Sequence, residues 1–459
     1  MTRCLKRDLA AAAAAAVLVA VAVLVGHRIQ REDGTLHVNW PPLSAVWEPH
    51  VGPGTVPALV LAVAVALWGP TAAARLRWGV LPPAVWGAAT AWTFALALVD
   101  GWQRGVVERM ENRHEYLAAV DRFADVPAAL RGFTDHILID SPDNWPTHVA
   151  GHPPGATLTF VLLDRVGLGG GGWAGAFCIV VGASVCAAVV VAVRALAGES
   201  LARGAAPFLV LVPGAVWMGT SADAYFAAVA GWAVAFLALA LTGRSVWWAA
   251  AAGLLFGWAC HLSYGLVLLG VLGAAVLLLG ARTVSRRPVV VVLLLTGTAV
   301  VPVAFALLGF DWWEAYRLLV DRYHQGAGGV RPYGYWVWAN LACTVLVVGL
   351  ATVAGLRRAG GVARRARRSL RGAALGPGGG GGAQVPDGPV RLAVLVAGAL
   401  LTILVADLSG MSKAETERIW LPFALWLVPA CALLGGARGW LAAQAAVALA
   451  VNHCLLTSW

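Results

Sequence analysis

The sequence predicts an all-α integral membrane protein that crosses the bilayer many times and carries one large extracytoplasmic loop. Of its 459 residues, 60% are hydrophobic and only 12% are charged, against about 25% charged residues in soluble domains. Apolar runs recur along the chain at close to the ~20 residues that a bilayer-spanning helix needs. The seven cysteines form no CxxC pair, so neither a disulfide framework nor a cysteine zinc site is indicated.

The apolar runs predict about 13 transmembrane helices. They lie near residues 9–26, 55–74, 80–99, 172–193, 205–219, 223–242, 245–261, 263–281, 288–309, 336–356, 391–407, 420–437 and 439–457. They divide the chain into an N-terminal three-helix membrane region (1–99), an extracytoplasmic loop with amphipathic juxtamembrane helices (100–171), a central transmembrane bundle (172–356), a basic and glycine-rich cytoplasmic linker (357–390) and C-terminal transmembrane helices (391–459).

The distribution of basic residues predicts the orientation. With the N-terminus in the cytoplasm, every short cytoplasmic connection carries arginine, as the positive-inside rule requires. These arginines are Arg75, Arg77, Arg194, Arg203, Arg244, Arg282, Arg286, Arg287 and Arg438. The net charge of +10 therefore indicates membrane topology rather than a nucleic-acid partner, and we predict a multi-pass protein of the cell membrane. For the basic run in residues 357–371 a topological role is favoured, and attraction to anionic inner-leaflet lipids is the alternative.

Polar side chains converge on the predicted outer face. Asp100 directly follows the apolar run "AWTFALALV", so its carboxylate is expected at the membrane boundary, where partial desolvation raises basicity. It is a candidate general base, and the alternative is an ordinary polar stop at a helix end. Asp223 begins a later span, where capping or interaction with the helix dipole is favoured over catalysis.

The segment "PTHVAGHPPGATL", residues 146–158, places His148 and His152 at the HxxxH spacing of some metal sites. Prolines follow directly, and a residue before proline is disfavoured in helical conformation, so we predict no metal site here. Pro153 and Pro154 are instead expected to begin the helix "PPGATLTFVLLDRVGL", since proline is tolerated in a first helical turn.

A charged segment, "SKAETERIWLP", precedes a late span and contains Lys413, Glu415, Glu417 and Arg418. A guanidinium at headgroup depth suits a phosphate, because its planar donors grip two oxygens at once. Arg331, in "VRPYGYW", is a second candidate for that role. For both arginines, a snorkelling or ion-paired side chain is the alternative.

These motifs together resemble the GT-C membrane glycosyltransferases. Protein O-mannosyltransferases and lipid A aminoarabinose transferases carry H-P-P-L or K-P-P-L where this chain has His152, Pro153, Pro154 and Gly155. The segment "ERIWLPF", residues 417–423, is similar to the R-Y-x-L-P that opens a late span in related bacterial transferases, with Ile419 in place of Tyr. The high Ala, Gly, Arg and Trp content also resembles that of actinobacterial membrane proteins.

The resemblance implies transfer of a sugar from a polyprenyl-phosphate donor to an envelope glycan, lipid or protein on the extracytoplasmic side. Asp100 would be the base, although this chain lacks the paired acid of many relatives, which leaves Glu108, Glu111 and Glu115 as substitutes. His152 would orient the loop or a donor oxygen. The predicted substrate-binding residues are Arg418, Arg331, Lys413, Glu417, Asp223, Trp145, Trp312 and Tyr333.

Two other functions are compatible with the sequence. A transporter or lipid flippase would carry ionisable residues in mid-span and broken helices at the bilayer midplane, whereas the charges here lie mostly at the outer ends of spans. A non-catalytic scaffold for envelope assembly is the third interpretation. No cofactor is predicted, and a divalent metal is not indicated by the motifs.

Overall fold

The computed structural model describes residues 3–243, 245–375 and 387–458. The N-terminal region consists of three long helices and one short strand. They are α1 (Arg3–Glu32), β1 (Ala45–Trp47), α2 (Thr55–Arg75) and α3 (Leu81–Ala97), the last continued by a 3₁₀ turn, Leu98–Asp100. The glycine-rich part of the predicted linker, residues 376–386, lies outside the described residues.

Short elements make up the segment that follows Asp100. They are a π-helical turn (Gln103–Val107), α4 (Glu108–Met110), a 3₁₀ helix (Tyr116–Phe123), α5 (Val126–Arg131), a 3₁₀ turn (Thr134–His136), α6 (Thr147–Gly151) and α7 (Gly155–Arg165). The expected amphipathic helix is thus interrupted after Met110. There the Asn112 side chain accepts a hydrogen bond from the His114 amide at 3.0 Å, and such a local bond competes with the helical ladder.

The central bundle begins with the longest helix after α1. Its elements are α8 (Gly171–Ala197), α9 (Glu199–Val210), α10 (Ala215–Met218), α11 (Ala222–Thr242), α12 (Trp247–Leu262), a 3₁₀ helix (Tyr264–Leu268), α13 (Leu269–Leu279), α14 (Ala281–Arg286), α15 (Val289–Leu307), α16 (Trp312–Gln325), α17 (Ala327–Val330) and α18 (Tyr333–Val348). The buried faces of α8 and α11 are mostly Ala, Val, Gly and Cys, and such short side chains allow close helix packing in membranes.

The C-terminal region returns the chain to its N-terminal segment. It contains α19 (Leu350–Leu375), α20 (Gly388–Leu408), α21 (Thr416–Ile419), α22 (Leu421–Ala424), a 3₁₀ helix (Leu425–Leu433), α23 (Ala437–Cys454) and β2 (Leu455–Thr457). Strand β2 pairs antiparallel with β1, with Val46 opposite Leu456. This small ribbon joins residues from the two ends of the chain at one end of the helix bundle.

Seven helices among the described residues are long and apolar enough to cross a membrane, or eight if α18 and α19 form one bent span. The chain is therefore a helical, multi-pass membrane protein, and the predicted number of about 13 spans is not confirmed. The predicted span 205–219 divides into α9 and α10 around Pro213. The predicted span 336–356 bends by 105° between Val348 and Leu350. The division into five regions stays a prediction.

Candidate active site

A cavity of about 1040 Å³ opens at one end of the bundle, here called the cavity end. The loop between α3 and α8, the segment from α16 to α18 and the segment between α20 and α22 contribute its walls. Ionisable side chains of both signs line it. They are Arg109, His114, Glu115, His148, His152, Asp223, Arg322, Arg331, Lys413, Glu415 and Arg418.

Arg418 lies at the centre of the polar wall and is almost fully buried, with 5% of its surface exposed. Its Nη1 donates to Asp223 Oδ2 at 2.6 Å, and its Nη2 donates to Glu415 Oε2 at 2.7 Å. Burial opposes the charge of Arg418, but the two carboxylates outweigh it and raise the pKa of the guanidinium above its usual value. The same arrangement lowers the pKa of Glu415, because Arg418 and Arg331 outweigh the effect of its burial.

His148 connects Arg418 to a third carboxylate. Its Nε2 lies 3.0 Å from Arg418 Nη2, and its Nδ1 lies 2.8 Å from Glu115 Oε1. A guanidinium only donates hydrogen bonds, so His148 Nε2 accepts from Arg418 and the ring proton is on Nδ1, where it is donated to Glu115. The hydrogen-bond network thereby assigns one neutral tautomer to His148 and holds the Glu115 carboxylate against the cavity.

Asp223 is in the first turn of α11 but does not cap it. The cap is Ser221, whose hydroxyl accepts from the Asp223 amide at 3.1 Å and donates to Asp223 Oδ2 at 3.1 Å. The Asp223 carboxylate is directed to Arg418. The capping role that we favoured for Asp223 therefore belongs to its neighbour, and Asp223 belongs to the charged cluster of the cavity.

His152 lines the cavity just before α7, which begins at Gly155, two residues later than predicted. Its Nδ1 lies 2.8 Å from the His148 carbonyl oxygen and donates to it. Burial lowers the pKa of His152 to about 4, so its ring is neutral and Nε2 is a hydrogen-bond acceptor. A Cβ at Gly155 would lie 2.5 Å from the His261 carbonyl oxygen, which explains why this chain has Gly where the similar motifs have Leu.

Two further cations predicted from the sequence also line the cavity. Arg331 donates to the carbonyl oxygens of Leu36 at 3.0 Å and Lys413 at 2.7 Å, and its Nη2 is 3.8 Å from Glu415 Oε1. Lys413 Nζ donates to the Gly328 carbonyl oxygen at 2.9 Å. Arg331 therefore connects the segment after α1 to the segment before α21. Among the described residues, Lys413 donates one of its three ammonium protons.

Three aromatic side chains that also line the cavity, Tyr264, Trp312 and Tyr316, form what is here called the aromatic wall. The rings of Trp312 and Tyr316 stack with centroids 5.6 Å apart, and the Tyr264 ring packs edge-on to Trp312 at 5.1 Å. Trp312 Nε1 donates to the Cys260 carbonyl oxygen at 2.9 Å, which fixes the orientation of the indole. The predicted residue Trp312 is thus held in an orientation suited to stacking against a ligand ring. Its two ring partners, Tyr264 and Tyr316, are not among the residues predicted from the sequence.

Asp100, the predicted base, does not line the cavity. Its Oδ1 is 2.6 Å from His50 Nε2, and its Oδ2 accepts from Arg109 Nη2 at 3.2 Å. Arg109 itself lines the cavity, and burial lowers the pKa of its guanidinium, partly offset by the Asp100 charge. Asp100 therefore contacts the cavity only through Arg109, whose guanidinium it positions.

Three predicted substrate-binding residues also lie away from the cavity. Glu417 is fully buried, and its Oε1 accepts from the Ser44 amide at 3.3 Å. Trp145 is packed between Phe123 and Phe133 and is 2% exposed. Tyr333 is on the outer surface, where its hydroxyl donates to the Leu408 carbonyl oxygen.

The most informative residues missed as primary candidates are Glu115, His148 and Glu415. Glu115 was only a substitute for Asp100, and His148 was considered only as a metal ligand. The charge of Glu415, three residues before Arg418 in "AETER", is the sequence signal for a buried ion pair. Among the described residues no three His, Cys, Asp or Glu side chains converge as a metal site, and the absence of a cofactor stays a prediction.

No protein-family model and no curated protein matches the chain. Among solved structures it is similar to the crystal structure of the Archaeoglobus fulgidus oligosaccharyltransferase in complex with Zn and sulfate, with a TM-score of 0.40 and 15% sequence identity. The similarity covers 76% of this chain and 48% of that one, so the chain spans about half the length of this relative.

Proposed function

We propose that this protein is a GT-C-type membrane glycosyltransferase that moves a sugar from a polyprenyl-phosphate donor to a cell-envelope acceptor on the extracytoplasmic side. The observation that carries the proposal is the cavity at the end of an apolar helix bundle, where Glu115, His148, Arg418 and Asp223 form one connected chain of contacts. A lipid-linked donor needs an apolar path for its tail and a charged pocket for its phosphate. The lining of this cavity combines the charged side chains with apolar ones such as Leu266 and Phe423, which supports the proposal.

In this proposal Glu115 replaces Asp100 as the general base. Its Oε1 is held by His148, and its Oε2 has no protein partner within the described part of the chain. The Oε2 atom takes the proton of the acceptor hydroxyl while that oxygen attacks the anomeric carbon of the donor sugar. The bond from the anomeric carbon to the phosphate oxygen breaks, and polyprenyl phosphate leaves with the electron pair.

The departing phosphate is stabilised by two cations of the cavity lining, Arg109 and Lys413. Within the described part of the chain, Arg109 donates to Asp100 through Nη2 and Lys413 donates to the Gly328 carbonyl oxygen through one proton, so both keep further donors for a phosphate. The two Nη atoms of Arg418 already donate to Asp223 and Glu415. Arg418 therefore contributes its positive charge to the pocket and not a pair of hydrogen bonds to the phosphate. Charge stabilisation of a leaving group in a partly dehydrated pocket is commonly the largest single contribution to such reactions.

The sugar is placed between the aromatic wall and His152. An indole face such as that of Trp312 packs against the apolar face of a sugar ring, and the acceptor Nε2 of His152 receives a hydroxyl hydrogen bond. Of the three aromatic residues proposed for this role from the sequence, Trp145 and Tyr333 do not line the cavity. Trp312, with Tyr316 beside it, carries the role.

The broken helix at Gly349 is the feature that a transporter or flippase would share. The break is closed by Gln444, whose Nε2 donates to the Val348 carbonyl oxygen at 2.8 Å and whose Oε1 accepts from the Ala351 amide at 3.3 Å. Both backbone groups that the break leaves outside the helical hydrogen-bond pattern thereby have partners. This arrangement favours a structural bend over an ion or substrate site.

The proposal is tested with purified protein in nanodiscs, supplied with radiolabelled sugar on polyprenyl phosphate and an envelope extract as acceptor. Transfer of label to the extract is expected with the lipid-linked donor and not with the matching nucleotide sugar. Transport of the lipid-linked sugar across proteoliposomes without any transfer would contradict the proposal and favour a flippase.

A further inference from the structure

Two basic segments meet at the end of the bundle opposite the cavity. Asp8, in the second turn of α1, is 1% exposed. Its Oδ1 accepts from Arg357 Nε at 2.8 Å, and its Oδ2 accepts from Arg358 Nη2 at 2.6 Å. At the usual helical rise, Asp8 is about 36 Å along α1 from Glu32. One buried carboxylate therefore fastens α19 to the start of α1.

Helix α19 is amphipathic beyond this contact. At about 100° per residue, the arginines at 357, 358, 364, 365, 367 and 368 all fall within about half of its circumference. The opposite half carries Ala359, Val362, Ala363 and Ala366. The axes of α18 and α19 differ in direction by 105°. A basic face opposite an apolar face is typical of a helix that lies on a membrane surface.

The outward side of the two segments is strongly cationic. Arg364, Arg365, Arg367 and Arg368 are exposed, and none of the four donates to a protein group within the described residues. Exposed basic residues at the start of α1 extend the same surface. Residues 3–8 and 350–368 together contain nine basic side chains and a single carboxylate, that of Asp8, which is buried.

We infer that this surface binds the headgroups of anionic phospholipids in the leaflet opposite the cavity. Four guanidinium groups that have no protein partner among the described residues provide paired donors for phosphate oxygens, and clusters of four or more basic residues next to a membrane span attract anionic lipid. The apolar face of α19 lies opposite its arginines. In this arrangement α19 rests at headgroup depth, with the apolar face turned to the lipid and the arginines bound to the phosphates. This role is independent of the proposed sugar transfer.

The test uses the full-length protein purified in detergent. Native mass spectrometry counts bound phosphatidylglycerol and phosphatidylcholine of equal chain length for the wild type and for a variant with Arg364→Gln, Arg365→Gln, Arg367→Gln and Arg368→Gln. The wild type should prefer phosphatidylglycerol roughly fivefold or more, as expected when several basic residues each contribute. The preference should fall in the variant, although the basic residues at the start of α1 remain, and its unfolding temperature should stay unchanged because the four side chains are exposed.

A matched control is Arg286→Gln with Arg287→Gln, which removes two exposed arginines from another connection at the same end of the bundle. This control should keep the preference for phosphatidylglycerol. Equal binding of the two lipids by the wild type, or an undiminished preference in the fourfold variant, would overturn the inference. Binding of single-stranded RNA in place of any lipid preference would overturn it as well and assign the surface to nucleic acid.

Discussion

Arg418 and Asp223, 195 residues apart in the chain, are joined by a contact of 2.6 Å between Nη1 and Oδ2, and each side chain is 6% exposed. The contact fixes the segment before the late apolar helix to the first turn of α11. His148 and Glu415 complete the surroundings of the same guanidinium. The cavity therefore depends on a buried ion cluster in which each charged group compensates the burial of another.

Replacing Arg418 by Gln should destabilise the protein by about 3 to 5 kcal/mol, because the Asp223 and Glu415 carboxylates would stay buried without their counter-charge. Thermal unfolding in detergent measures the effect. Arg194→Gln is the matched control, since Arg194 pairs with Glu199 at 3.1 Å with 42% of its side chain exposed, and an exposed pair contributes at most about 1 kcal/mol. An equal loss of stability in the two variants would contradict a buried ion cluster around Arg418.

Asp100→Asn should raise the KM for the lipid-linked donor more than it lowers kcat, since Asp100 acts through the position of Arg109. Arg109→Gln should lower kcat as well, because Arg109 itself stabilises the departing phosphate. The double variant should be no worse than Arg109→Gln alone, because Asp100 acts through Arg109. Steady-state kinetics in nanodiscs separate the two constants. A selective loss of kcat by a factor of about 100 or more in Asp100→Asn would restore Asp100 as the base.

Gly349→Ala should destabilise the protein, by about 1 to 3 kcal/mol for backbone strain alone. The φ of Gly349 is +78°, and a Cβ there would lie 1.9 Å from Gln444 Oε1. Gly360→Ala in α19 is the control, since a Cβ at Gly360 meets no atom within 4 Å, and alanine favours a helix. Differential scanning fluorimetry should therefore give a lower unfolding temperature for the first variant and an equal or higher one for the second.

Glu417→Gln should stabilise the protein at pH 8 more than at pH 5. Burial raises the pKa of Glu417 from 4.5 to about 7. Between these values the folded protein binds a proton that the unfolded chain has lost, so the free energy of unfolding falls as pH rises from about 4.5 to 7. Glutamine removes this dependence. Unfolding temperatures measured at both pH values check it, and an equal change at pH 5 and pH 8 would contradict the burial of an ionisable group.

The multi-pass helical character could be predicted because apolar runs are local properties of the sequence, whereas the orientation inferred from the arginine-bearing connections stays a prediction. The positions at which the helices are interrupted could not be predicted from the sequence. The bend at Gly349 is completed by Gln444, far along the chain, and its hydrogen bonds to Val348 and Ala351 leave no local pattern. Long apolar runs containing Pro213 or Pro429 were counted as single spans, although proline removes a backbone donor from a helix.

The candidate site was predictable where one short motif carried the residue, as for His152 and Arg418. The choice among the loop acids was not predictable. Asp100 and Glu115 belong to the same polar segment, and the turns between them decide which carboxylate meets His148. Trp145 has the composition of a ligand-stacking residue, yet Phe123 and Phe133 surround it in the core of the loop.

The central claim is that Glu115 is the catalytic base of a sugar transfer. Its most direct test is the rate of transfer in nanodiscs for Glu115→Gln beside Glu108→Gln, an exposed acid of the same loop that does not line the cavity. Glu115→Gln should lower kcat by a factor of about 100 or more while donor binding persists, and Glu108→Gln should retain the wild-type rate. An unchanged kcat in Glu115→Gln would contradict the claim.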